Sequence, residues 1–303
     1  MLKHPIITVL FSALALAACN SETHSDDFTG DSPPVFQSEY FETTITGDGP
    51  NVILVPGLAS SAAVWDDTII ALQDDYRVHA LQVAGFAGVP ARGNAENTDI
   101  LQDIATDISR YTQGLDGETS VIGHSLGGLV TLKTALISES KIDRIMIIDV
   151  LPYFSVLMDA QATPETIAPI AAFMKLTLLN QSDEVFAARQ DEALAALVKS
   201  PDDRQKALEW SVASDRAVMA QAMSEVLVTD LRVEIAAIKI PTTIIFADDP
   251  AIPNIDAVRG YYAADYAPIE NAKLIPIKDA LHFIMYDQPE VFIAEISAFL
   301  ERE

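Results

Sequence analysis

The sequence predicts an α/β fold: a doubly wound, mostly parallel sheet with a layer of helices inserted into it. Short, almost continuously apolar runs alternate with helical stretches, a pattern typical of strands that are covered on both faces. One interval, residues 151–238, has no clear strand and is rich in good helix formers such as Ala, Leu and Glu. The 303 residues, 50% of them hydrophobic, suffice for one substantial core and a smaller appended layer.

Seven apolar runs are predicted as strands. In chain order they are Ser38–Thr46, Asn51–Val55, Tyr76–Val83, Ser120–Ile122, Arg144–Val150, Thr242–Ala247 and Lys273–Ile277. Helices are predicted at Asn97–Tyr111, where apolar residues recur with helical spacing, at Leu126–Leu136 and at Pro289–Leu300. The alternation of strand and helix is what predicts a parallel sheet.

Residues 151–238 are predicted as a helical cap, and residues 38–150 and 239–303 as the core into which the cap is inserted. Two steps within the cap, Thr163-Pro164 and Ser200-Pro201, indicate helix starts. Threonine and serine cap the free amides of a first turn, and proline is favoured at the first helical position.

The N-terminus has the form of a secretory signal, with a basic start at Lys3, an apolar run over residues 5–18, and then Cys19. The run is too short for a membrane span. Cys19 is the only cysteine of the sequence, so no disulfide within the chain is possible. Residues 1–18 are therefore predicted as a signal peptide, and residues 19–37, which are polar and contain Gly and Pro, as a flexible tether.

The segment Leu16-Ala17-Ala18-Cys19 resembles the bacterial lipobox, in which the cysteine becomes the lipidated first residue of the mature protein. The resemblance implies an exported protein held to a bacterial membrane by a lipid anchor on Cys19. Asn20 follows, and by resemblance to Gram-negative lipoproteins the absence of Asp there favours the outer membrane, facing the periplasm. The alternative is an ordinary signal peptide that happens to contain a cysteine.

Charge and composition exclude several classes of partner. Acidic residues outnumber basic ones 44 to 19, and a net charge of -25 argues against a protein that binds nucleic acid through its phosphates. The sequence has no Cys/His cluster and no Gly-rich nucleotide loop, so no metal and no organic cofactor is expected. A small molecule is the expected ligand.

A Gly-x-Ser-x-Gly motif, Gly123-His124-Ser125-Leu126-Gly127, carries the candidate nucleophile Ser125. The motif has chemical meaning where a strand turns sharply into a helix, because a strained backbone there lifts the hydroxyl above the sheet. Here a β-rich run leads into the motif and an apolar helical run leads out of it. The context therefore favours a nucleophilic serine.

A serine hydroxyl is a poor nucleophile at neutral pH and needs a base within hydrogen-bond reach. His282 is the candidate base, because it lies in a loop between the last predicted strand and the last helix. The other four histidines are less suited. His4 and His24 fall in the signal and tether, His79 lies inside a strand, and the side chain of His124 is expected to point away from the hydroxyl.

Together these features resemble the α/β-hydrolase superfamily, in particular its cap-bearing branch of esterases, C–C hydrolases and haloperoxidase-like proteins. The resemblance covers about residues 51–151 and 240–300, and it implies an eight-stranded type of sheet. Residues 81–88 resemble the D-x-x-G-x-G segment of the branch, with Gln in place of Asp. His282-Phe283, followed by Asp287-Gln288-Pro289, resembles its C-terminal histidine segment.

The family order of serine, acid and histidine implies an acid after the strand Thr242–Ala247. Asp248 and Asp249 both qualify, and Asp249 is favoured because it precedes Pro250, as in the family's Gly-x-x-Asp-Pro turn. Asp149 is a third candidate, at the end of the preceding strand, where some relatives place their acid.

Two backbone amides are expected to bind the oxyanion that forms when an acyl carbon is attacked. One is the amide of Leu126, the residue after the nucleophile. The loop Pro56–Ser61 resembles the family's His-Gly-x-x loop, with Pro56 in place of His, and implies Leu58 as the second donor.

The resemblance implies acyl transfer to water, because relatives that open epoxides or remove halides use Asp at the position of Ser125. A small to medium hydrophobic carboxylic ester is the expected substrate, cleaved through an acyl-enzyme intermediate. An amide, a lactone or a C–C bond is the first alternative. A catalytically silent, tethered binding protein is the second. Seven apolar cap residues are candidates for an acyl pocket: Phe154, Leu157, Met158, Phe173, Met174, Leu176 and Leu179.

Overall fold

Seven strands in one sheet organise the part of the chain that the computed structural model describes, residues 36–138 and 141–301. The strands are β1 (Phe41–Thr46), β2 (Asn51–Val55), β3 (Arg77–Val83), β4 (Thr119–His124), β5 (Arg144–Ile148), β6 (Thr242–Asp248) and β7 (Ala272–Lys278). Their order across the sheet is β1-β3-β2-β4-β5-β6-β7. All seven predicted strands are confirmed, with ends shifted by a few residues. The eight-stranded type of sheet that the resemblance implied is represented by seven strands within these residues.

The sheet is parallel except at one edge, where β1 runs antiparallel to β3. At the centre, Val55 of β2 lies opposite Gly123 of β4, and His124 of β4 lies opposite Ile148 of β5. The carboxyl ends of β2, β4 and β5 therefore meet at the same edge. Side chains that directly follow these strands are brought together there, as is general for open parallel sheets.

Burial explains why the central strands could be predicted from the sequence. Every residue of β2, β4 and β6 is buried, so these strands need apolar side chains on both faces. The edge strand β1 is different, since exposed and half-buried residues dominate it and Ile45 is 45% exposed. The observed doubly wound α/β architecture is the predicted fold class.

Ten helices lie in the described residues. They are α1 (Asp66–Leu72), α2 (Ile100–Gln113), α3 (Leu126–Ser138), α4 (Pro164–Asn180), α5 (Asp183–Leu194), α6 (Pro201–Ala213), α7 (Arg216–Val228), α8 (Ile255–Asp265), α9 (Ile284–Asp287) and α10 (Pro289–Leu300). The helices predicted at the positions of α2, α3 and α10 are confirmed. Helices α1, α8 and the single-turn α9 were not predicted from the sequence.

Four helices, α4 to α7, fill the interval between β5 and β6, with no strand among them. The two predicted helix starts are confirmed, because α4 begins at Pro164 and α6 begins at Pro201. The side chains of Thr163 and Ser200 accept hydrogen bonds from first-turn amides, which satisfies backbone groups that have no partner within the helix.

The N-terminal predictions fall on residues whose placement the structure does not describe. These are the signal peptide at residues 1–18, Cys19 and the tether up to residue 35. Within the described segments, no helix combines the length and the hydropathy needed to cross a bilayer.

His79 is a core residue of β3, in agreement with its expected position inside a strand. Its ring nitrogens lie 3.1 Å from the side-chain oxygen of Asn51 and 2.6 Å from the hydroxyl of Tyr111. Burial, together with the nearby charge of Arg77, lowers the pKa of His79 to about 4. The ring is therefore neutral near pH 7 and belongs to the packing of the sheet.

We expect the stability difference between wild type and His79→Gln to shrink as the pH falls. The pKa of His79 is lower in the folded state, so the unfolded chain binds the proton first and becomes relatively more stable. Between about pH 7.5 and about pH 5, wild type should lose roughly 2 kcal/mol relative to the variant. Urea unfolding of both proteins at the two pH values measures this change, and an unchanged difference would contradict a neutral, buried His79.

Candidate active site

Ser125 sits at the junction between β4, which ends at His124, and α3, which begins at Leu126. Its φ is +53°, in the left-handed region that residues other than glycine rarely adopt. The amide of Ser125 donates to the carbonyl of Ile148 at 2.8 Å, and this bond helps to hold the strained turn against β5. The observed strand–turn–helix is the context that the motif requires for an exposed nucleophile.

The two glycines of the motif are required by close backbone approach. A Cβ on Gly123 would lie 2.1 Å from the carbonyl oxygen of Gly127, and a Cβ on Gly127 would lie 2.3 Å from that of Val55. Neither position has room for a side chain without moving backbone. The spacing of the motif therefore reflects the tight packing of the turn between β2, β4 and α3.

His282 pairs with Asp149, the third of the candidate acids. The Nδ1 atom of His282 lies 2.6 Å from Oδ2 of Asp149, which directly follows β5 and has a φ of +48°. His282 lies in the loop between β7 and α9, so the pair joins residues 133 positions apart in the chain. The preference for Asp249 as the partner of His282 is corrected by this contact.

Asp149 is held in position by two further donors on its other oxygen. The Ala247 amide donates to Oδ1 at 2.9 Å, and the Tyr262 hydroxyl donates to the same atom at 3.2 Å. Oδ2 is therefore left for His282. Tyr262 comes from α8, a helix that the sequence reading missed, and no motif pointed to its role.

The environment of Asp149 favours its ionised form. Burial acts to raise the pKa of this carboxyl, but the hydrogen bond and charge of His282 and the Ala247 amide outweigh burial, so the pKa lies below its ordinary value. An ionised Asp149 accepts a hydrogen bond from Nδ1 of His282. The other ring nitrogen, Nε2, then carries the lone pair that a general base needs.

The other two candidate acids are engaged elsewhere. Asp249 pairs with Lys199 at 2.5 Å, and the hydrogen bonds from that ammonium and from the Ala251 amide hold the pKa of Asp249 below its ordinary value. Asp248 pairs with Arg259 at 2.5 Å. Both carboxylates bind cations of neighbouring elements, and the side-chain partner of the imidazole in the described residues is Asp149.

His124, the residue before Ser125, packs directly against the candidate base. Its Nε2 donates to the backbone carbonyl of His282 at 3.0 Å, and the two ring centres are 4.6 Å apart. Burial and the charge of His282 lower the pKa of His124 to about 3. Its Nδ1 has no partner in the described residues, which fits a neutral ring. His124 thus supports the loop of His282 and does not compete for its proton.

The amides of Leu58 and Leu126, the expected oxyanion donors, both come from segments that line the same cavity as Ser125. Neither amide has an acceptor within the described residues. Gly57 brings the loop close, since a Cβ there would lie 3.0 Å from Nδ1 of His124 and 3.2 Å from Cβ of Ser125. The structure therefore leaves two free donors beside the serine.

Ser125, His282 and Asp149 open into one cavity of about 230 Å³ between the sheet edge and helices α5, α6 and α7. Its wall is mainly apolar. The side chains that form it are Leu58, Phe154, Ala193, Leu194, Leu197, Ala207, Met219, Met223, Val226 and Phe283. Gln190 and Ser211 interrupt this surface, and the Ser211 hydroxyl donates to the Gln190 side-chain oxygen at 3.0 Å.

The seven apolar cap residues proposed for an acyl pocket are mostly located elsewhere. Only Phe154 among them lines the cavity. Met174 is half-buried against the core. The other five are exposed: Leu157, Met158, Phe173, Leu176 and Leu179. The sequence could not separate the two faces of α4, because apolar residues occur all around that helix.

Comparison with known proteins decides the family. A model described as the alpha/beta hydrolase family matches residues 52–295, which is most of the chain. The chain belongs to this family. It is therefore a hydrolase, as the sharp turn at Ser125 (the nucleophile elbow) and the His282–Asp149 pair indicate.

Relatives and fold neighbours agree with this placement. The chain is 24% identical over 271 residues to the pimeloyl-[acyl-carrier protein] methyl ester esterase of Aliivibrio fischeri (strain MJ11), covering 88% of this chain and 98% of that enzyme. An esterase from Exiguobacterium antarcticum superposes with a TM-score of 0.71 at 15% identity, covering 86% of this chain and 96% of that one. The enol-lactonase from Burkholderia xenovorans LB400 gives 0.69 at 17% identity, with coverage of 86% and 96%. The two structures show a shared fold.

Replacing Asp149 by Asn should reduce the kcat for an aryl ester roughly 10³- to 10⁴-fold, because the amide no longer fixes the histidine tautomer or balances its charge. The matched change Asp248→Asn should leave kcat within about threefold of wild type, since Asp248 contacts Arg259 and not His282, and the Asn side-chain oxygen can still accept from Arg259. Steady-state kinetics of both variants makes the comparison. A large loss in Asp248→Asn with activity retained in Asp149→Asn would reverse the assignment.

Proposed function

We propose that this alpha/beta hydrolase is a serine hydrolase that cleaves small to medium, hydrophobic carboxylic esters through an acyl-enzyme intermediate. One observation carries the proposal: Ser125 on a strained turn shares an apolar cavity with a His282 that is paired with Asp149. Nucleophilic acyl transfer uses a serine, a histidine that takes its proton, and a carboxylate that orients the histidine.

In the proposed mechanism, Nε2 of His282 takes the proton of the Ser125 hydroxyl as its oxygen attacks the ester carbonyl carbon. The amides of Leu58 and Leu126 donate to the resulting oxyanion. His282 then protonates the leaving alcohol. In the second half, His282 activates a water that attacks the acyl-serine, and the acid is released while Asp149 balances the charge on the imidazole throughout.

The size and chemistry of the cavity support the ester class proposed. A volume of about 230 Å³ with mainly apolar walls suits an acyl chain or alcohol of modest size. The relative from Aliivibrio fischeri is named a methyl ester esterase, which supports ester cleavage at 24% identity. The Gln190–Ser211 pair offers the cap side of the cavity one polar contact for a substrate oxygen or nitrogen.

A fluorophosphonate probe should label wild type covalently and fail to label Ser125→Ala, because the phosphorus reacts only with an activated serine. Wild type should also hydrolyse short and medium aryl esters, with activity falling for long acyl chains that exceed the cavity. Gel fluorescence and a spectrophotometric chain-length series measure these results. Equal labelling of both proteins, or no labelling of either, would overturn the proposal; faster cleavage of lactones or amides would reassign the substrate.

We further propose that the protein is exported and lipid-anchored through Cys19, at the outer membrane facing the periplasm. The support is sequence alone: a basic start, an apolar run over residues 5–18, and the only cysteine of the sequence directly after them. The polar residues that follow would link the anchor to the hydrolase.

Cys19→Ser should move the protein from the membrane pellet to the soluble periplasmic fraction, because the thiol that carries the lipid is missing. Cell fractionation with immunodetection measures the distribution, and Ser25→Ala in the same polar segment serves as the matched control that stays in the pellet. Unchanged membrane association of Cys19→Ser would contradict the anchor.

A further inference from the structure

We propose that Lys199 is a positioning residue, which fastens the segment between α5 and α6 to the loop that carries His282. Asp249, at the place where family resemblance expected the triad acid, serves as the anchor of this lysine. The inference rests on the proposed function, because its consequence is the geometry of a base that acts on Ser125.

The lysine ammonium bridges two elements of the core. Its Nζ lies 2.5 Å from Oδ2 of Asp249, just after β6, and donates to the backbone carbonyl of Asp279 at 2.7 Å. Asp279 begins the His282 loop and has a φ of +57°, a strained conformation that persists only where neighbours fix it. Its own amide donates to the Asp248 carbonyl at 3.1 Å. One end of the histidine loop is thus held by Lys199 and by β6.

Backbone contacts of the same cap segment hold the other side of the loop. The Lys199 amide donates to Oδ1 of Asp287 at 3.0 Å, while Oδ2 of Asp287 accepts from the Leu281 amide at 2.7 Å. The Phe283 amide donates to the carbonyl of Leu197 at 3.1 Å. The residues immediately before and after His282 are therefore both tied, directly or through Asp287, to the segment 197–199.

These contacts couple the cavity wall to the base. Leu197 and Phe283 both line the cavity, so a shift of the cap segment moves a substrate-contacting surface and the histidine loop together. Displacements of about 1 Å in an active site can cost on the order of a hundredfold in rate. The Lys199 side chain is 39% exposed and that of Asp249 10%, so water partly screens the ion pair, and we expect its main effect to be on position.

The test compares Lys199→Met, Asp249→Asn and the double variant, with Lys206→Met as the matched control. Lys206 is also a cap lysine in an ion pair, at 2.8 Å from Asp203; its Nζ lies 5.8 Å from the ring centre of Tyr286 in α9, and it makes no hydrogen bond to residues 279–283. Steady-state kinetics on an aryl ester, the thermal midpoint of unfolding, and amide hydrogen exchange of Leu281 and Phe283 are measured for each protein.

We expect each single variant to lose roughly tenfold in kcat with less than about twofold change in KM, and the double variant to lose no more than either single one. Exchange at Leu281 and Phe283 should accelerate in all three, while Lys206→Met matches wild type. Multiplicative losses in the double variant, wild-type kcat in Lys199→Met, or unchanged exchange would each overturn the proposal. An inactive, unlabelled wild type would instead defeat the proposed function, and the exchange data would still decide whether Lys199 holds the loop.

Discussion

The hydrogen bond between His282 and Asp149 is the contact around which the rest of the site is built. This 2.6 Å bond joins the loop after β7 to the residue that directly follows the central strand β5. A buried carboxylate is costly unless its oxygens find donors, and here Ala247 and Tyr262 supply them for the oxygen that His282 does not use. The position of α8 behind β6 therefore helps to hold the carboxylate that pairs with His282.

Placing the acid after β5 instead of β6 has a consequence for the neighbouring strand. The two carboxylates at the end of β6, Asp248 as its last residue and Asp249 directly after it, have other partners. Asp248 binds Arg259 of α8, the helix that also carries Tyr262, and Asp249 binds Lys199 of the cap. The two ion pairs at the end of β6 thus connect α8 and the segment between α5 and α6 to the site.

The strands, the elbow and the histidine could be predicted because each has a local signature. Buried parallel strands are continuously apolar, and the turn at Ser125 has so little space that glycines must flank it at fixed spacing. The choice among Asp149, Asp248 and Asp249 has no such signature. All three lie at the carboxyl ends of neighbouring strands, and only the partners that the fold brings near decide which one meets the histidine.

Helix α8 could not be predicted from the sequence for a similar reason. Its N-cap Asn254 is left-handed and makes no side-chain capping bond, and Gly260 lies in its middle, so the usual start signal and propensity are weak. The helix is stabilised by packing instead. Tyr262 stacks on Phe246 of β6 with ring centres 4.2 Å apart, a contact that no sequence pattern reveals.

The fold that this chain shares with solved structures does not define its substrate. We expect the residues that the cap contributes to the cavity to do so. Proteins named an esterase and an enol-lactonase share this fold with the chain at 15% and 17% identity, and a shared fold does not by itself define a substrate. The apolar residues that α5, α6 and α7 contribute, together with Gln190 and Ser211, are the part of the cavity that would distinguish them.

The charge balance of the site also depends on His124. During the proposed acyl transfer His282 becomes positive, and a second cation with its ring centre 4.6 Å away would oppose that step. Because burial and the charge of His282 lower the pKa of His124 to about 3, this neighbour stays neutral at any pH at which a histidine base can work. It can then donate to the His282 carbonyl, and support the loop, without adding charge. The positive charge on His282 is left to Asp149, whose lowered pKa keeps it ionised and ready to balance that charge.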